Sequence, residues 1–182
     1  TTTKQEDTQK EETKKLEGTL KVVTTGDAYT PLFEKFTEEV GPKVEFISMS
    51  SGEVLSKLKA EGGTPAADLW FGGGIDAFMD AKDNNLLEKV DFDAADELAP
   101  EFKDSDNYWF SKGVTVVGFI VNNDILKEKG LEAPKSWDDL TKEEYQGEVL
   151  MSNPAISGTN YAVVNALLQT KGDEEGWKYF EA

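Results

Sequence analysis

Four runs in this chain gather hydroxyls, amides and glycines just ahead of helical patterns. They are Thr24-Thr25-Gly26-Asp27-Ala28-Tyr29, Ser48 with Ser50-Ser51-Gly52-Glu53, Gly72-Gly73-Gly74, and Asn153 followed by Ser157-Gly158-Thr159-Asn160. The first N–H groups of a helix have no intrahelical acceptor, and the positive end of the helix dipole lies beside them. A turn of this kind therefore holds a carboxylate or phosphate without a cationic side chain. Glycine lets the backbone approach the ligand closely, and Ser or Thr hydroxyls complete the shell. Each run also has a plainer reading. Ser and Thr before helices serve as N-caps, and Gly72-Gly73-Gly74 also reads as a tight turn; it is no P-loop, because no Lys-Ser/Thr pair follows at the required spacing. Tyr29 reads as core or as pocket rim, with its polar tip beside Asp27 favouring the rim. Asp27, Glu53 and Asp76 are candidates for a hard-metal cluster or for the acid and base of a hydrolase. Acids at helix starts, favoured there by the dipole, explain them more simply.

Composition narrows the chemistry. The 182 residues carry 36 Asp and Glu against 19 basic residues, every one a lysine, for a net charge of −17. Arg, His and Cys are absent. Such a surface repels phosphate backbones, so nucleic acid is not a partner. Zinc sites built on Cys or His are excluded, as are Ser-His-Asp and Cys-His catalysis and any disulfide. No cofactor is expected, and an anion must be held largely by main-chain amides, with a lysine as the available cation. No apolar run approaches the roughly 20 residues of a membrane helix.

The elements that must position these turns follow from the hydrophobic pattern. Residues 1–17 form a polar, low-complexity segment with Leu16 as its only apolar residue, expected to be a disordered tether. From Gly18 onward, short apolar runs at 20–24, 44–49 and 67–71 read as strands. Between them, Leu32, Phe36 and Val40 mark a helix with Thr30 as N-cap, Pro31 at its first position and a stop at Gly41-Pro42. Val54, Leu55 and Leu58 mark a second helix, ending at Gly62-Gly63. Ile75, Phe78 and Met79 mark a third. This alternation predicts right-handed βαβ crossovers and a parallel α/β sheet. Residues 91–107 read as acidic surface loops. The β-branched run Gly113 to Asn122 is the strongest strand signal in the chain, and Glu148 to Met151 reads as another strand. Between these two, Ile125 and Leu126 mark a helix ending at Gly130, and Ser136-Trp137-Asp138-Asp139 reads as a capped helix start. The helix after Ser157 is apolar nearly all round and is expected to be buried. The final aromatics Trp177, Tyr179 and Phe180 have few partners in the sequence around them, so a longer parent protein or a second chain is expected to cover apolar surface here.

The segments Leu20-Lys21-Val22-Val23, Pro65 to Gly73, Gly118 to Asn122, Pro134 to Leu140, Tyr145 to Glu148 and Asn153 to Thr159 together resemble the amino-terminal part of bacterial extracellular solute-binding proteins of ABC importers. The similar branch contains ferric-ion, sugar-phosphate and phosphonate binders. The resemblance implies a type II periplasmic-binding-protein fold: lobe one at 18–117, a hinge-crossing strand at 118–122 and a partial lobe two at 123–182. It implies a non-enzymatic receptor, outside the cytoplasm as a cell-surface lipoprotein or in the periplasm. That receptor would take a small phosphorylated or phosphonate-bearing anion and deliver it to a membrane permease. Carried over by position, the binding residues are Thr25, Gly26, Tyr29, Ser51, Gly52, Gly73, Ser157, Gly158 and Thr159. Ferric iron with a bridging anion is the alternative ligand, with Tyr29 and Glu53 as its only candidates here; the absent His disfavours one iron subtype. An adhesion or immune-target lipoprotein is a third class.

Overall fold

A computed structural model describes residues 14–182; most of the expected tether, residues 1–13, lies outside the described residues. Strand β1 (Thr19–Thr24) is followed by helix α1 (Thr30–Val40), strand β2 (Lys43–Ser48), helix α2 (Ser51–Glu61), strand β3 (Leu69–Phe71) and helix α3 (Ile75–Asp83). The three strands form a parallel sheet in the order β2-β1-β3. The chain leaves β1 toward one side and returns across it to the other. With right-handed crossovers, that reversal puts α1 and α2 on opposite faces of the sheet. The central strand is buried accordingly: Val22, Val23 and Thr24 are consecutive and all enclosed, as a strand covered on both faces must be.

The two faces have separate cores. On one, Phe33 of α1 meets Phe46 of β2 and Phe71 of β3 edge to face, with centroids 5.3 and 5.0 Å apart. On the other, Trp70 stacks on Phe78 of α3 at 4.1 Å. Adjacent residues Trp70 and Phe71 face opposite ways because side chains alternate along a strand. The local stops are those expected from sequence. Gly41 ends α1 at φ 116° and Gly62 ends α2 at φ 60°. Thr30 is the first helical residue of α1 rather than its N-cap, a position taken by Tyr29.

Beyond α3 the chain is mostly loops and 3-10 turns, then α4 (Asn123–Lys129), α5 (Gly158–Lys171) and α6 (Asp173–Glu181). Here the structure departs from the sequence pattern. Gly113 to Asn122, expected as the strongest strand, pairs with no strand among the described residues, and Val116 and Ile120 are 90% and 101% exposed. Glu148 to Met151 likewise forms no strand, and Leu150 is 97% exposed. Strand propensity expresses fit to a pleated, half-buried surface; without a neighbouring strand it leaves only an extended segment. Helix α5 was expected to be buried, but only Leu167 is enclosed. It packs on α6, where Gly176 lies against Leu168, meets α3, touches Ser51 of α2 at Gly158, and pairs Lys171 with Asp138. The expected helix start at Ser136 is a 3-10 turn over Asp138–Thr141. Its cap is reciprocal: the Asp139 carboxylate accepts from the Lys135 and Ser136 amides at 2.8 and 3.0 Å, and Asp139 N–H donates to Ser136 Oγ at 3.2 Å.

The acidic loop after α3 is organised around a buried carboxylate. Asp104 is 7% exposed; it accepts from Lys82 Nζ at 2.7 Å and from the Asp106 and Tyr108 amides at 3.1 and 3.2 Å. Burial by itself pushes the Asp104 carboxyl up, but the Lys82 ammonium and the two amides outweigh it and hold the carboxyl below its usual range. A carboxyl depressed in the folded state stabilises the fold above its unfolded pKa, about 3.9, and that contribution is lost as pH falls through the folded value. Thermal melts below about pH 4 are expected to show falling stability, and Asp104→Asn to flatten that part of the profile while lowering stability at neutral pH.

Candidate functional site

The register of the sheet assembles the site. Thr24 aligns with Ser48 on one side and with Phe71 on the other, so all three strands end in line. The segments that follow, Thr25-Gly26, Met49-Ser50 and Gly72-Gly73-Gly74, leave the same edge. This is where open parallel sheets bind ligands, and the reversal of strand order at β1 opens the crevice. Met49 N–H donates to Thr24 O at 3.0 Å, tying the first two turns together.

Ser51 is the node of the arrangement. It is the first residue of α2, 4% exposed, and its Oγ accepts from Gly74 N–H at 3.4 Å. A Cβ on Gly73 would stand 2.6 Å from Ser51 Oγ, and one on Gly158 would stand 2.8 Å from it. Three turns therefore close on one hydroxyl only because two of them carry glycine; Gly73 also has φ +130°, a region that L side chains avoid. Gly52 lies beneath the fourth run: its N–H donates to Ile156 O at 3.2 Å, and a Cβ there would meet Ala155 O at 2.2 Å. Residues about a hundred positions apart in sequence thus form one cluster.

The other sequence-predicted residues divide. The Ser157 side chain caps α5, accepting from Asn160 N–H at 3.4 Å and from Asn160 Nδ2 at 2.9 Å. Its own hydroxyl hydrogen remains free to donate. Thr159 is exposed on the first turn of α5, and its side chain makes no hydrogen bond among the described residues. Thr25 Oγ1 lies 3.2 Å from where a Gly72 Cβ would stand. Gly26 is extended, with open space on its side-chain side. Tyr29 is half-buried, its ring edge to face with Phe71 at 5.0 Å.

The acids do not gather. Glu53 completes a capping box, accepting from Ser50 Oγ at 2.6 Å and from Ser50 N–H at 2.9 Å, and the Ser50 hydroxyl followed by its amide holds the Glu53 carboxyl below its ordinary range. Asp76 accepts from Asn165 Nδ2 at 3.1 Å, linking α3 to α5. Among the described residues no three of His, Cys, Asp and Glu are grouped to hold a metal ion. The proposed carboxylate cluster of Asp27, Glu53 and Asp76 is therefore corrected: two of the three bind protein donors instead.

Sequence reasoning left the cation unnamed, and the structure supplies one. Lys112 Nζ lies 3.4 Å from the Tyr29 ring centroid and 4.7 Å from that of Phe71, beside Gly72. A lone Lys between an acidic loop and an apolar run is its only sequence signal.

The family model described as bacterial extracellular solute-binding protein matches residues 65–182. The phosphoglycerate transport regulatory protein PgtC of Salmonella typhimurium is 42% identical over 69 residues, which is 37% of this chain and 17% of that protein. The periplasmic binding protein AfuA of Actinobacillus pleuropneumoniae, solved with fructose-6-phosphate bound, superposes with a TM-score of 0.83 at 30% identity, over 90% of this chain and 53% of AfuA. The ferric binding protein of Campylobacter jejuni superposes at 0.65 with 22% identity, over 88% of this chain and 51% of that one, a likeness of fold alone. The chain spans about half the length of the relatives it matches along most of its own.

Proposed function

The chain belongs to the bacterial extracellular solute-binding protein family, and from that premise we propose that it captures a small phosphorylated or phosphonate-bearing anion and delivers it to the permease of an ABC importer. The observation that carries this reading is the convergence of three glycine and hydroxyl turns on Ser51, at the carboxyl edge of a parallel sheet. Helix starts of α2, α3 and α5 meet there, and their partial positive charges suit a tetrahedral anion. The fructose-6-phosphate bound to AfuA and the phosphoglycerate in the name of PgtC agree with it.

The family is not enzymatic, which removes the carboxylate hydrolase. The ferric alternative takes second place because Glu53 is engaged by Ser50 and the Lys112 ammonium stands over Tyr29, where it would repel a ferric ion. In our reading residues 18–117 act as one lobe and 123–182 as part of another, with 118–122 as the crossing between them. The Gly52–Ile156 and Asp76–Asn165 hydrogen bonds are closure contacts across the cleft. Lipid anchoring through the polar amino-terminal segment would place the receptor at the cell surface.

Combining Ser157→Ala with Thr159→Ala tests the reading. Titration calorimetry of the intact protein with a panel of phosphate monoesters and phosphonates is expected to show affinity weakened by roughly tenfold or more, the loss of one or two hydrogen bonds to a charged group. Affinity equal to the wild type would take both residues out of the site.

A further inference from the structure

In a chain with 36 carboxylate side chains and 19 lysines, an ammonium is expected to rest on a carboxylate, as Lys82, Lys103, Lys129 and Lys142 do. Lys112 does not. Like Lys21, Lys127 and Lys135, it makes no ion pair among the described residues; unlike them, it holds its Nζ over ring faces, those of Tyr29 and Phe71. Aromatic faces attract a cation through their quadrupole but carry no net charge. The ammonium therefore faces no neutralising carboxylate there and has hydrogens to donate, beside the glycine turn after β3.

Its placement is built. The Lys112 backbone is pinned on one side by Ser111 N–H donating to Phe102 O at 2.7 Å, and on the other by Ser111 Oγ donating to Gly113 O at 2.8 Å. Tyr29 and Phe71 are locked edge to face beneath the ammonium, and Phe71 rests in turn on Phe33. Lys112 Nζ and Thr25 Oγ1 approach the same point, 3.3 and 3.2 Å from where a Gly72 Cβ would be. Gly72 has φ +96°, a backbone conformation that favours glycine, and an added Cβ would crowd both side chains. A cation and a hydroxyl thus flank the main chain just where β3 ends.

We infer that Lys112 is the specificity-determining residue for ligand charge: it makes the site prefer a doubly charged phosphate monoester over a singly charged sulfate ester of the same shape. The inference rests on the solute-binding reading above and adds to it the charge state of the ligand and the group that senses it. Helix-start amides contribute only fractional charges, and hydroxyls none. They grip either ester through hydrogen bonds and discriminate weakly between them. A full ammonium gains strength with each unit of charge it faces.

Titration calorimetry of the intact protein at pH 8 and low salt, with methyl phosphate and methyl sulfate as probes, tests this. The second ionisation of a phosphate monoester lies near pH 6, so methyl phosphate is then doubly charged. The wild type is expected to prefer methyl phosphate by roughly tenfold or more. Lys112→Met is expected to lose most of that preference, and Lys112→Arg, which keeps charge and stacks on aromatic rings, to retain it. Lys112→Gln serves as a second neutral variant should the Met protein fold poorly. Wild-type binding of methyl phosphate with the preference unchanged in both neutral variants would overturn the role of Lys112 and leave the solute-binding reading standing. A wild type that binds phosphate monoesters and phosphonates not at all would overturn both.

Discussion

Gly52→Ala is expected to weaken anion capture by roughly a hundredfold, the equivalent of two charge-assisted hydrogen bonds. The added Cβ would stand 2.2 Å from Ala155 O and 2.9 Å from Ile156 O. Both obstacles are backbone, so no rotamer change relieves them. The run 153–158 must lift away from α2, and the Gly52 N–H to Ile156 O hydrogen bond breaks with it. That movement carries Gly158 off Ser51 and opens the cluster from the α5 side. Geometry of this kind tolerates about half an ångström before the ligand shell fails. Calorimetry with methyl phosphate measures the effect, and Gly118→Ala, where a Cβ meets only open space, is the control. Equal affinity in the Gly52 variant would mean that these two turns do not grip the ligand together.

Phe33→Ala is expected to have the largest effect on stability. Phe33 is 6% exposed and joins Phe46 to Phe71 across one face of the sheet. Truncating a buried aromatic costs about 3–5 kcal/mol through lost burial and the cavity left behind. For a domain of this size that lowers Tm by roughly 10 °C. The neighbouring Leu32, 54% exposed on the same helix, gives the comparison: Leu32→Ala should change stability by no more than about 0.5 kcal/mol. Thermal melts followed by circular dichroism separate the two. Affinity should fall as well in the Phe33 variant, because Phe71 loses the ring beneath it and with it the platform that Tyr29 and Lys112 share. A Phe33→Ala protein melting with the wild type would mean that the sheet does not depend on this face.

Local chemistry made the first half of the molecule readable. Pro31 and Gly41 bound α1, Ser50 and Gly62 bound α2, and the buried run at Val22-Val23-Thr24 marks a strand covered on both faces. These are short-range effects of backbone conformation and hydrophobic period, and neighbouring residues suffice to express them. The strand pattern misled at Gly113 to Asn122 and Glu148 to Met151, because a strand exists only when another chain segment supplies its hydrogen bonds and its cover. Propensity alone could not say whether that segment was present.

For the site, the residue types were written in the sequence: glycine where the backbone must pass close, hydroxyls beside it, and no Arg or His to compete. Which of them meet was decided by register. The alignment of Thr24 with Ser48 and Phe71 brings three turns to one edge, and the docking of 153–158 on α2 turns Ser51 from a ligand contact into the buried pivot between them. Asp76 was diverted to Asn165 by the meeting of α3 and α5, whereas Glu53 was taken up locally by Ser50 in the capping box of α2. Lys112 was legible only as one lysine among nineteen. Its distinction is the pair of ring faces beneath it and the Gly72 turn beside it, and both arise from contacts between residues far apart along the chain.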